Sequence, residues 1–253
     1  MELGLAGRVY LLTGASRGLG FATAQHLVEE GAKVVISARD ADRLSSAIQR
    51  LGGERHAVGV EADLGDAATP QRLITAAVER FDRIDGALIS VGGPPPGTAL
   101  ATLDEQWMAS FQTIFLGAAR AARAIADRLD PGGVIGLVLS TSARAPIPGL
   151  GISNGLRPGL LGIAKDMADE LAPRGIRVVS LLPGRIRTDR TTELLAATQD
   201  PQTALAAIEA AIPMRRMGTP EEFAKVATFL LSPAASYLTG IAVPVDGGAL
   251  RAL

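Results

Sequence analysis

The sequence predicts an α/β fold in which seven parallel strands form one doubly wound sheet with helices on both faces. Three observations predict it: short apolar runs alternate with charged helical segments, a glycine-rich turn follows the first run, and no linker or repeat interrupts the 253 residues. Alternating strands and helices form a mostly parallel sheet because each crossover helix packs back onto a sheet face. We therefore expect one domain over residues 1–253.

Each predicted strand is a short apolar run, as expected for strands that are buried on both faces. The runs are Val9–Leu12, Val34–Ser37, Ala57–Glu61, Gly86–Ser90, Val134–Leu139, Val178–Leu182 and Ile241–Val245. The predicted helices between them are Gly20–Glu30, Ala41–Arg50, Ala67–Phe81, Asp104–Arg128 and Ile152–Leu171. The last helix is dense in Gly, Ala and Leu, which fits packing against its own sheet and equally fits packing against a second subunit.

The segment of about residues 185–219 is predicted to be a substrate lid with a helix at Thr203–Ala211. It follows a strand, has no strand signal of its own, and lies where open α/β sheets bind ligands. The segment is rich in arginine, which has two explanations. The arginines recognise an anionic substrate, such as a carboxylate, a CoA phosphate or an acidic carrier surface, or they form a face exposed to solvent. These arginines are Arg185, Arg187, Arg190, Arg215 and Arg216.

Composition excludes several classes of function. The net charge is −1 and there is no run of like charges, so neither nucleic acid nor a membrane surface is an expected partner. No apolar run approaches the roughly 20 residues of a membrane span, and there is no secretory signal, so we expect a cytoplasmic protein. The chain has no cysteine, which excludes a thiol nucleophile and a zinc site with Cys ligands. Its two histidines, His26 and His56, lie in unrelated segments, which argues against a His-based metal site and a Ser-His-Asp triad.

The glycine-rich turn between the first strand and the first helix predicts a nucleotide site. Gly14 permits a tight turn, Gly18 lets the backbone approach a pyrophosphate, and Gly20 lets helix and strand pack closely. The N-terminus of the helix then offers unpaired N–H groups to the phosphates. The alternative is a glycine turn with a purely structural role.

The end of the second strand indicates which dinucleotide binds. An acidic residue there accepts a bond from the ribose 2′-hydroxyl of NAD, whereas a basic residue favours NADP. Here Ala38 occupies the acidic position, and Arg39 follows it with Arg17 nearby in the glycine turn. The sequence therefore predicts NADP(H), unless both arginines are merely solvated. Asp63, after the third strand, is placed either to accept a bond from adenine or to cap a helix.

Nearly the whole chain resembles the short-chain dehydrogenase/reductase family, in particular the branch that contains 3-oxoacyl-acyl-carrier-protein reductases. Six segments carry this resemblance: Thr13–Gly20, Ala62–Leu64, Ser140, Glu170–Val178, Pro183-Gly184 with Thr188, and Thr239-Gly240 with Val245–Gly248. The resemblance implies a Rossmann fold, a small-molecule carbonyl or alcohol substrate, and a homotetramer or homodimer. The residues it places at the cofactor are Gly14, Ser16, Arg17, Gly18, Leu19, Gly20, Arg39, Asp63, Leu64, Gly92, Arg157, Pro183, Gly184 and Thr188.

The resemblance also implies four catalytic positions, of which this chain keeps one. In the family, a Tyr hydroxyl is the acid/base, a Lys four residues later lowers its pKa, a Ser orients the substrate and an Asn completes a proton relay. Ser140 matches the Ser, and counting from Ser140 or from Glu170 places Ser153 at the Tyr and Arg157 at the Lys. The Asn position is Ile114, so the candidate catalytic residues here are Ser140, Ser153 and Arg157.

The usual acid/base chemistry does not fit these side chains. A serine hydroxyl is shorter in reach and a weaker acid than a phenol, and arginine stays protonated. Lys165 lies eight residues past Arg157, about 12 Å along a helix. Losing a general acid lowers the rate by typically about 10²–10⁴-fold, whereas positioning of reactants contributes more. Two functions therefore fit the sequence. One is an NADP(H)-dependent oxidoreductase with an atypical proton donor. The other is a catalytically retired protein that binds NADP(H) as a sensor, regulator or partner subunit.

Overall fold

The computed structural model describes residues 2–196 and 198–252. The predicted domain and lid also include Met1, Ala197 and Leu253, which lie outside the described residues. The strands are β1 Val9–Leu12, β2 Lys33–Ala38, β3 Ala57–Glu61, β4 Gly86–Ser90, β5 Val134–Val138, β6 Arg177–Pro183 and β7 Ile241–Val245. The α-helices are α1 Gly18–Glu29, α2 Ala41–Arg50, α3 Thr69–Phe81, α4 Asp104–Ser110, α5 Gly117–Ala126, α6 Gly151–Leu171, α7 Asp189–Ala196, α8 Pro201–Ala211 and α9 Pro220–Leu231.

The seven strands form one parallel sheet in the order β3-β2-β1-β4-β5-β6-β7, which confirms the predicted fold class. The direction of winding reverses between β1 and β4, and ligands bind at such a switch point. Thr13 joins the two strands there: its Oγ1 donates to the Ser90 carbonyl at 2.9 Å and accepts from the Ser90 N–H at 2.8 Å. This pairing fixes the carboxyl ends of β1 and β4 side by side.

Each face of the sheet is covered by its own layer of helices and its own apolar core. Leu27, Leu44 and Phe223 bring α1, α2 and α9 onto one face. Leu73, Ile125 and Leu160 bring α3, α5 and α6 onto the other. The buried strands between the two layers have almost no exposed side chains, as their continuous apolar runs predict.

The glycine-rich surface of α6 packs against aromatic side chains of this same chain. A Cβ at Gly155 would lie 2.8 Å from the Trp107 ring, and one at Gly159 would lie 2.8 Å from the Phe115 ring. Leu160 and Ala164 on another side of the helix are buried in the core. Contacts within the chain therefore account for Gly155 and Gly159 of α6, whereas packing of this helix against a second subunit stays a prediction.

Several predicted helices differ from the structure. The segment Asp104–Arg128 is not one helix: a π-helical turn at Phe111–Leu116 separates α4 from α5, and α5 ends at Ala126. The lid contains two helices rather than one, because the short α7 has a polar sequence that gave no apolar periodicity. Finally, α3 begins at Thr69 instead of Ala67, since Thr69 and Pro70 start the helix after an irregular turn.

Gly20 is required by the close packing of α1 on the glycine turn. A Cβ there would lie 2.8 Å from the Gly14 carbonyl oxygen and 2.9 Å from Ala15 Cα, both backbone atoms that cannot rotate away. We expect Gly20→Ala to lower the free energy of unfolding by about 1–3 kcal/mol and to weaken NADPH binding, because the turn must shift. Urea unfolding and NADPH titration measure the two effects.

Gly162 in α6 is the matched control. No heavy atom outside its own helix lies within 4 Å of a Cβ built there. Gly162→Ala should therefore leave cofactor binding unchanged and raise stability by up to about 1 kcal/mol, because alanine favours the helix. Equal effects of the two substitutions would contradict the steric role of Gly20.

No helix in the described part of the chain is long and apolar enough to cross a membrane. The described residues likewise contain no group of three His, Asp or Glu side chains placed to hold a metal ion.

Candidate cofactor and active site

A cleft runs along the carboxyl ends of the strands, at the switch point between β1 and β4. It consists of two adjoining cavities of about 440 and 450 Å³ that share Gly14, Arg17 and Arg39. The structure brings every predicted site residue to this cleft. The first cavity is lined by Ser16, Asp63 and Leu64, and the second by Gly18, Leu19, Gly20, Gly92, Ser140, Ser153, Arg157, Pro183, Gly184 and Thr188.

The glycine turn has the shape that a dinucleotide requires. Gly14 has a φ of +60°, and a Cβ there would lie 3.2 Å from the Ser90 carbonyl oxygen. Helix α1 begins at Gly18, and the side chain of the preceding Arg17 does not cap it. The first residues of the helix line the cleft, so their N–H groups are open to a ligand. A glycine turn next to a helix N-terminus that has no side-chain cap fits the pyrophosphate of a dinucleotide.

Arg39 at the end of β2 is available to a ligand. Its side chain is 81% exposed, and its Nη1 lies 3.8 Å from Asp63 Oδ2, a weak surface contact. Arg43, which sequence reasoning missed, lines the same cavity one turn into α2 and pairs with Asp40 at 3.2 Å. Its place four residues after Arg39, beyond the helix cap Asp40, is the signal that could have identified it.

Asp63 does not cap a helix. Its Oδ1 accepts from the Gly65 N–H at 2.8 Å in a local turn, and the cap position of α3 is Ala68. The helix-cap alternative for Asp63 is therefore wrong. Its other carboxylate oxygen faces Arg39 in the first cavity.

Two serines that line the second cavity, Ser140 and Ser153, are each bonded to the buried Ser142. Ser140 Oγ accepts from the Ser142 N–H at 3.1 Å, and the hydroxyls of Ser142 and Ser153 lie 2.9 Å apart. Ser153 is only 5% exposed and stands in the first turn of α6, where the helix dipole is positive. The local arrangement arises because Ser140 caps the short 3₁₀ turn that carries Ser142 toward α6.

Arg157 is a buried cation that is held by backbone carbonyls. It is 3% exposed, and its guanidinium donates to the Val138 oxygen at 2.9 Å and to the Gly92 oxygen at 2.6 Å. Burial lowers the pKa of Arg157 to about 10, with a further contribution from the charge of Arg190. Its Nε has no partner among the described residues. Arg157 therefore stays protonated at neutral pH and ties the end of β5 to the loop after β4.

Helix α7, in the segment predicted to be a lid, lines the second cavity and is bonded at two points. Arg190 donates to the carbonyls of Gly93 at 2.9 Å and Pro94 at 3.0 Å, on the same loop that Arg157 holds. Arg17 in the glycine turn pairs with Glu193 of α7 at 3.2 Å. The lid thus contacts both the glycine turn and the loop after β4.

Three further residues near the site, Asn154, Arg144 and Ile114, have structural roles. The Asn154 amide bonds both the N–H and the carbonyl of Ile147, each at 2.9 Å, and so holds the loop before α6. Arg144 donates to the Ala242 carbonyl on β7 at 3.3 Å and does not line either cavity. Ile114, at the Asn position of the relay, is 3% exposed within the π-helical turn and offers no polar group.

Most of the lid arginines are already engaged. Arg187 pairs with Glu209 at 3.4 Å, and Arg216 makes two bonds to Glu222, the nearer at 2.6 Å. Arg215 donates to the Ala210 carbonyl. Of the five, only Arg185 and Arg190 line the second cavity.

Comparison with known proteins identifies the class. The family model described as Enoyl-(Acyl carrier protein) reductase matches residues 14–249. Human "Dehydrogenase/reductase SDR family member 4" is 34% identical over 249 residues, which is 96% of this chain and 88% of that protein. The chain therefore belongs to the short-chain dehydrogenase/reductase family of NAD(P)-dependent oxidoreductases.

Solved structures have the same architecture over almost their full length. L-Sorbose reductase from Gluconobacter frateurii, complexed with NADPH and L-sorbose, is 30% identical with a TM-score of 0.91 and coverage of 100% of both chains. The 3-ketoacyl-(acyl-carrier-protein) reductase from Brucella melitensis, complexed with NADH, is 31% identical with a TM-score of 0.87 and coverage of 97% and 99%. A short-chain oxidoreductase from Pseudomonas aeruginosa that contains an atypical catalytic center is 29% identical with a TM-score of 0.91 and coverage of 99% and 100%.

Proposed function

We propose that the protein is an NADP(H)-dependent oxidoreductase that interconverts a carbonyl compound, such as a 3-oxoacyl compound, and its alcohol with an atypical proton donor. The observation that carries this proposal is that Ser140, Ser153 and the Arg157 cation line one cavity together with the glycine turn, and that Ser142 bonds both serines. We also propose that residues 1–253 act as one domain, with 185–219 as its lid.

The preference for the phosphorylated cofactor rests on the charges at the end of β2. Arg39 is exposed and bound only weakly, and Ala38 supplies no carboxylate for a ribose hydroxyl. Arg17 and Arg43 add positive charge to the same cavity. A 2′-phosphate would form charge-assisted hydrogen bonds with such a group of guanidiniums.

The cofactor supplies a hydride when it is bound; the chain's own groups must stabilise charge and deliver a proton. The Arg157 cation and the positive end of α6 lower the energy of negative charge that develops on a carbonyl oxygen in the second cavity. The hydroxyls of Ser140 and Ser153 are positioned to donate hydrogen bonds to that oxygen. Because neither serine is acidic, the proton itself comes from water held by the Ser153 hydroxyl.

A second candidate function is binding of NADP(H) without turnover, as a sensor, regulator or partner subunit. One observation favours it: the Ser153 hydroxyl is paired with Ser142, and Arg157 is committed to two carbonyls. The Ser153 hydroxyl and the Arg157 guanidinium, at the Tyr and Lys positions of the family, are therefore already used in hydrogen bonds within the protein.

One assay of the wild-type protein tests the proposal. We expect NADPH to bind and to be oxidised when a panel of ketones, aldehydes, oxo acids and 3-oxoacyl thioesters is added, as followed by its near-ultraviolet absorbance. Binding without oxidation of NADPH by any of these compounds would exclude the oxidoreductase and favour the second candidate. Absence of NADPH and NADH binding would exclude both.

A further inference from the structure

An ion pair joins the segment predicted to be a lid to the glycine turn. Arg17 Nη1 donates to Glu193 Oε1 at 3.2 Å, across a separation of 176 residues in the sequence. Helix α7, which carries Glu193, follows directly on Thr188, and the Thr188 methyl group lies 3.7 Å from a Cβ built at Gly18. The lid segment therefore contacts the first turn of α1 and brings a carboxylate to an arginine of the glycine turn.

Arg17 is one of three arginines at the predicted phosphate site. It lines both cavities of the cleft together with Arg39, and Arg43 lines the first cavity. Arg39 and Arg43 face carboxylates that line the first cavity themselves. The partner of Arg17, in contrast, is Glu193 of the lid segment, which lines neither cavity. A phosphate in the cleft and the carboxylate of Glu193 therefore compete for the same guanidinium.

The pair between Arg17 and Glu193 is weak enough to be exchanged for a bound phosphate. Its side chains are 41% and 63% exposed, and its N···O distance of 3.2 Å is longer than the about 2.7–2.9 Å of a strong charge-assisted bond. Exposed ion pairs of this kind contribute little stability. A phosphate group carries more negative charge than a carboxylate and accepts paired bonds from one guanidinium, so it displaces the weaker partner.

We infer that Glu193 occupies Arg17 in the free protein and is displaced by the 2′-phosphate of the cofactor, so that this residue limits the affinity for NADPH but not for NADH. NADH carries no phosphate at the ribose 2′ position and does not compete with Glu193. Glu193 acts through Arg17 and is a positioning residue that tunes the choice of cofactor. This inference rests on the proposed preference for NADP(H).

Glu209 provides a matched control. It pairs with Arg187 of the lid segment at 3.4 Å, and neither of these two residues lines a cavity of the cleft. Substituting glutamine for Glu193 or for Glu209 removes the same charge and breaks one ion pair of the lid segment in each case. Only the change at Glu193 should alter cofactor binding.

The test is fluorescence titration of the wild type and both variants with NADPH and with NADH, at low and at high ionic strength. Glu193→Gln should lower the Kd for NADPH by about 2- to 5-fold at low ionic strength, the range expected for loss of an exposed ion pair. The Kd for NADH should stay unchanged. High salt should reduce the gain, because it screens exposed charges. Glu209→Gln should leave both dissociation constants unchanged.

A double-mutant cycle shows whether Glu193 acts through Arg17. In a protein that already carries Arg17→Gln, the change Glu193→Gln should alter the Kd for NADPH by less than about 2-fold, because the competing pair is absent. A full gain in that background would overturn the inference, since Glu193 would then repel the phosphate directly.

Three results with the single variants would also overturn it: an unchanged or higher Kd for NADPH in Glu193→Gln, an equal gain for NADH, or an equal gain in Glu209→Gln. The expected pattern in a protein that never oxidises NADPH would uphold the inference and reject only the proposed oxidoreductase. A wild type that oxidises NADPH but fails the Glu193→Gln test would reject only the inference. A wild type that does not bind NADPH would reject both.

Discussion

Replacing Arg39 by glutamate is expected to reverse the preference for NADPH over NADH. The side chain of Arg39 is 81% exposed and contacts Asp63 at only 3.8 Å, so it is free to pair with a 2′-phosphate. Loss of a hydrogen bond to a charged group costs about 1.5–3 kcal/mol, and the new carboxylate adds repulsion. The Kd for NADPH should rise by about 100-fold or more, while the Kd for NADH should stay constant or fall, because glutamate can accept from a ribose hydroxyl.

The control is Arg128→Glu, which makes the same change of charge at an exposed position after α5, outside the two cavities of the cleft. It should shift both dissociation constants only slightly. Fluorescence titration with both cofactors measures the ratio directly. If Arg39→Glu and Arg128→Glu changed NADPH binding equally, Arg39 would not bind the phosphate.

Replacing Arg157 by glutamine is expected to lower kcat by about 10²–10³-fold, the usual effect of removing a group that stabilises an oxyanion. Glutamine can still donate to one of the two carbonyls that Arg157 holds, so the loop after β4 should stay in place. The Kd for NADPH should therefore change by no more than a few-fold. Steady-state kinetics together with cofactor titration separate the two quantities.

Arg144→Gln makes the same substitution at an arginine that bonds β7 outside the cleft, and it should leave kcat unchanged. An unchanged kcat in Arg157→Gln would remove Arg157 from catalysis. A parallel loss of NADPH binding would instead assign it a role in holding the cofactor.

The sequence predicted the sheet well because its strands are buried on both faces. Val134–Val138 and its neighbours read as continuous apolar runs, and the parallel direction of the strands follows from their alternation with helices. The short helix α7 was missed because its polar sequence gives no apolar periodicity, and its contacts with the glycine turn and the loop after β4 join segments far apart in the sequence. The π-helical turn at Phe111–Leu116 was missed because its apolar spacing resembles that of an ordinary helix.

The residues that the sequence predicts for the site lie at one cleft, because glycines and strand ends mark the switch point. The sequence did not predict how the side chains pair. The bond between Ser142 and Ser153 joins two elements, and the two carbonyls held by Arg157 belong to β5 and to the loop after β4, which are far apart in the sequence. Such contacts depend on the packing of α6 against the sheet, which spacing along the chain does not encode.

The most direct test of the account follows deuterium from labelled NADPH into product, in the wild type and in the Ser153→Tyr/Arg157→Lys double variant. The central claim is that Ser140, Ser153 and Arg157 support the reaction without a tyrosine or a lysine. It predicts that the wild type transfers deuterium to the alcohol formed from an oxo acid or another carbonyl compound. A wild type that binds NADPH but transfers none, beside a double variant that does, would contradict the claim and identify a retired enzyme.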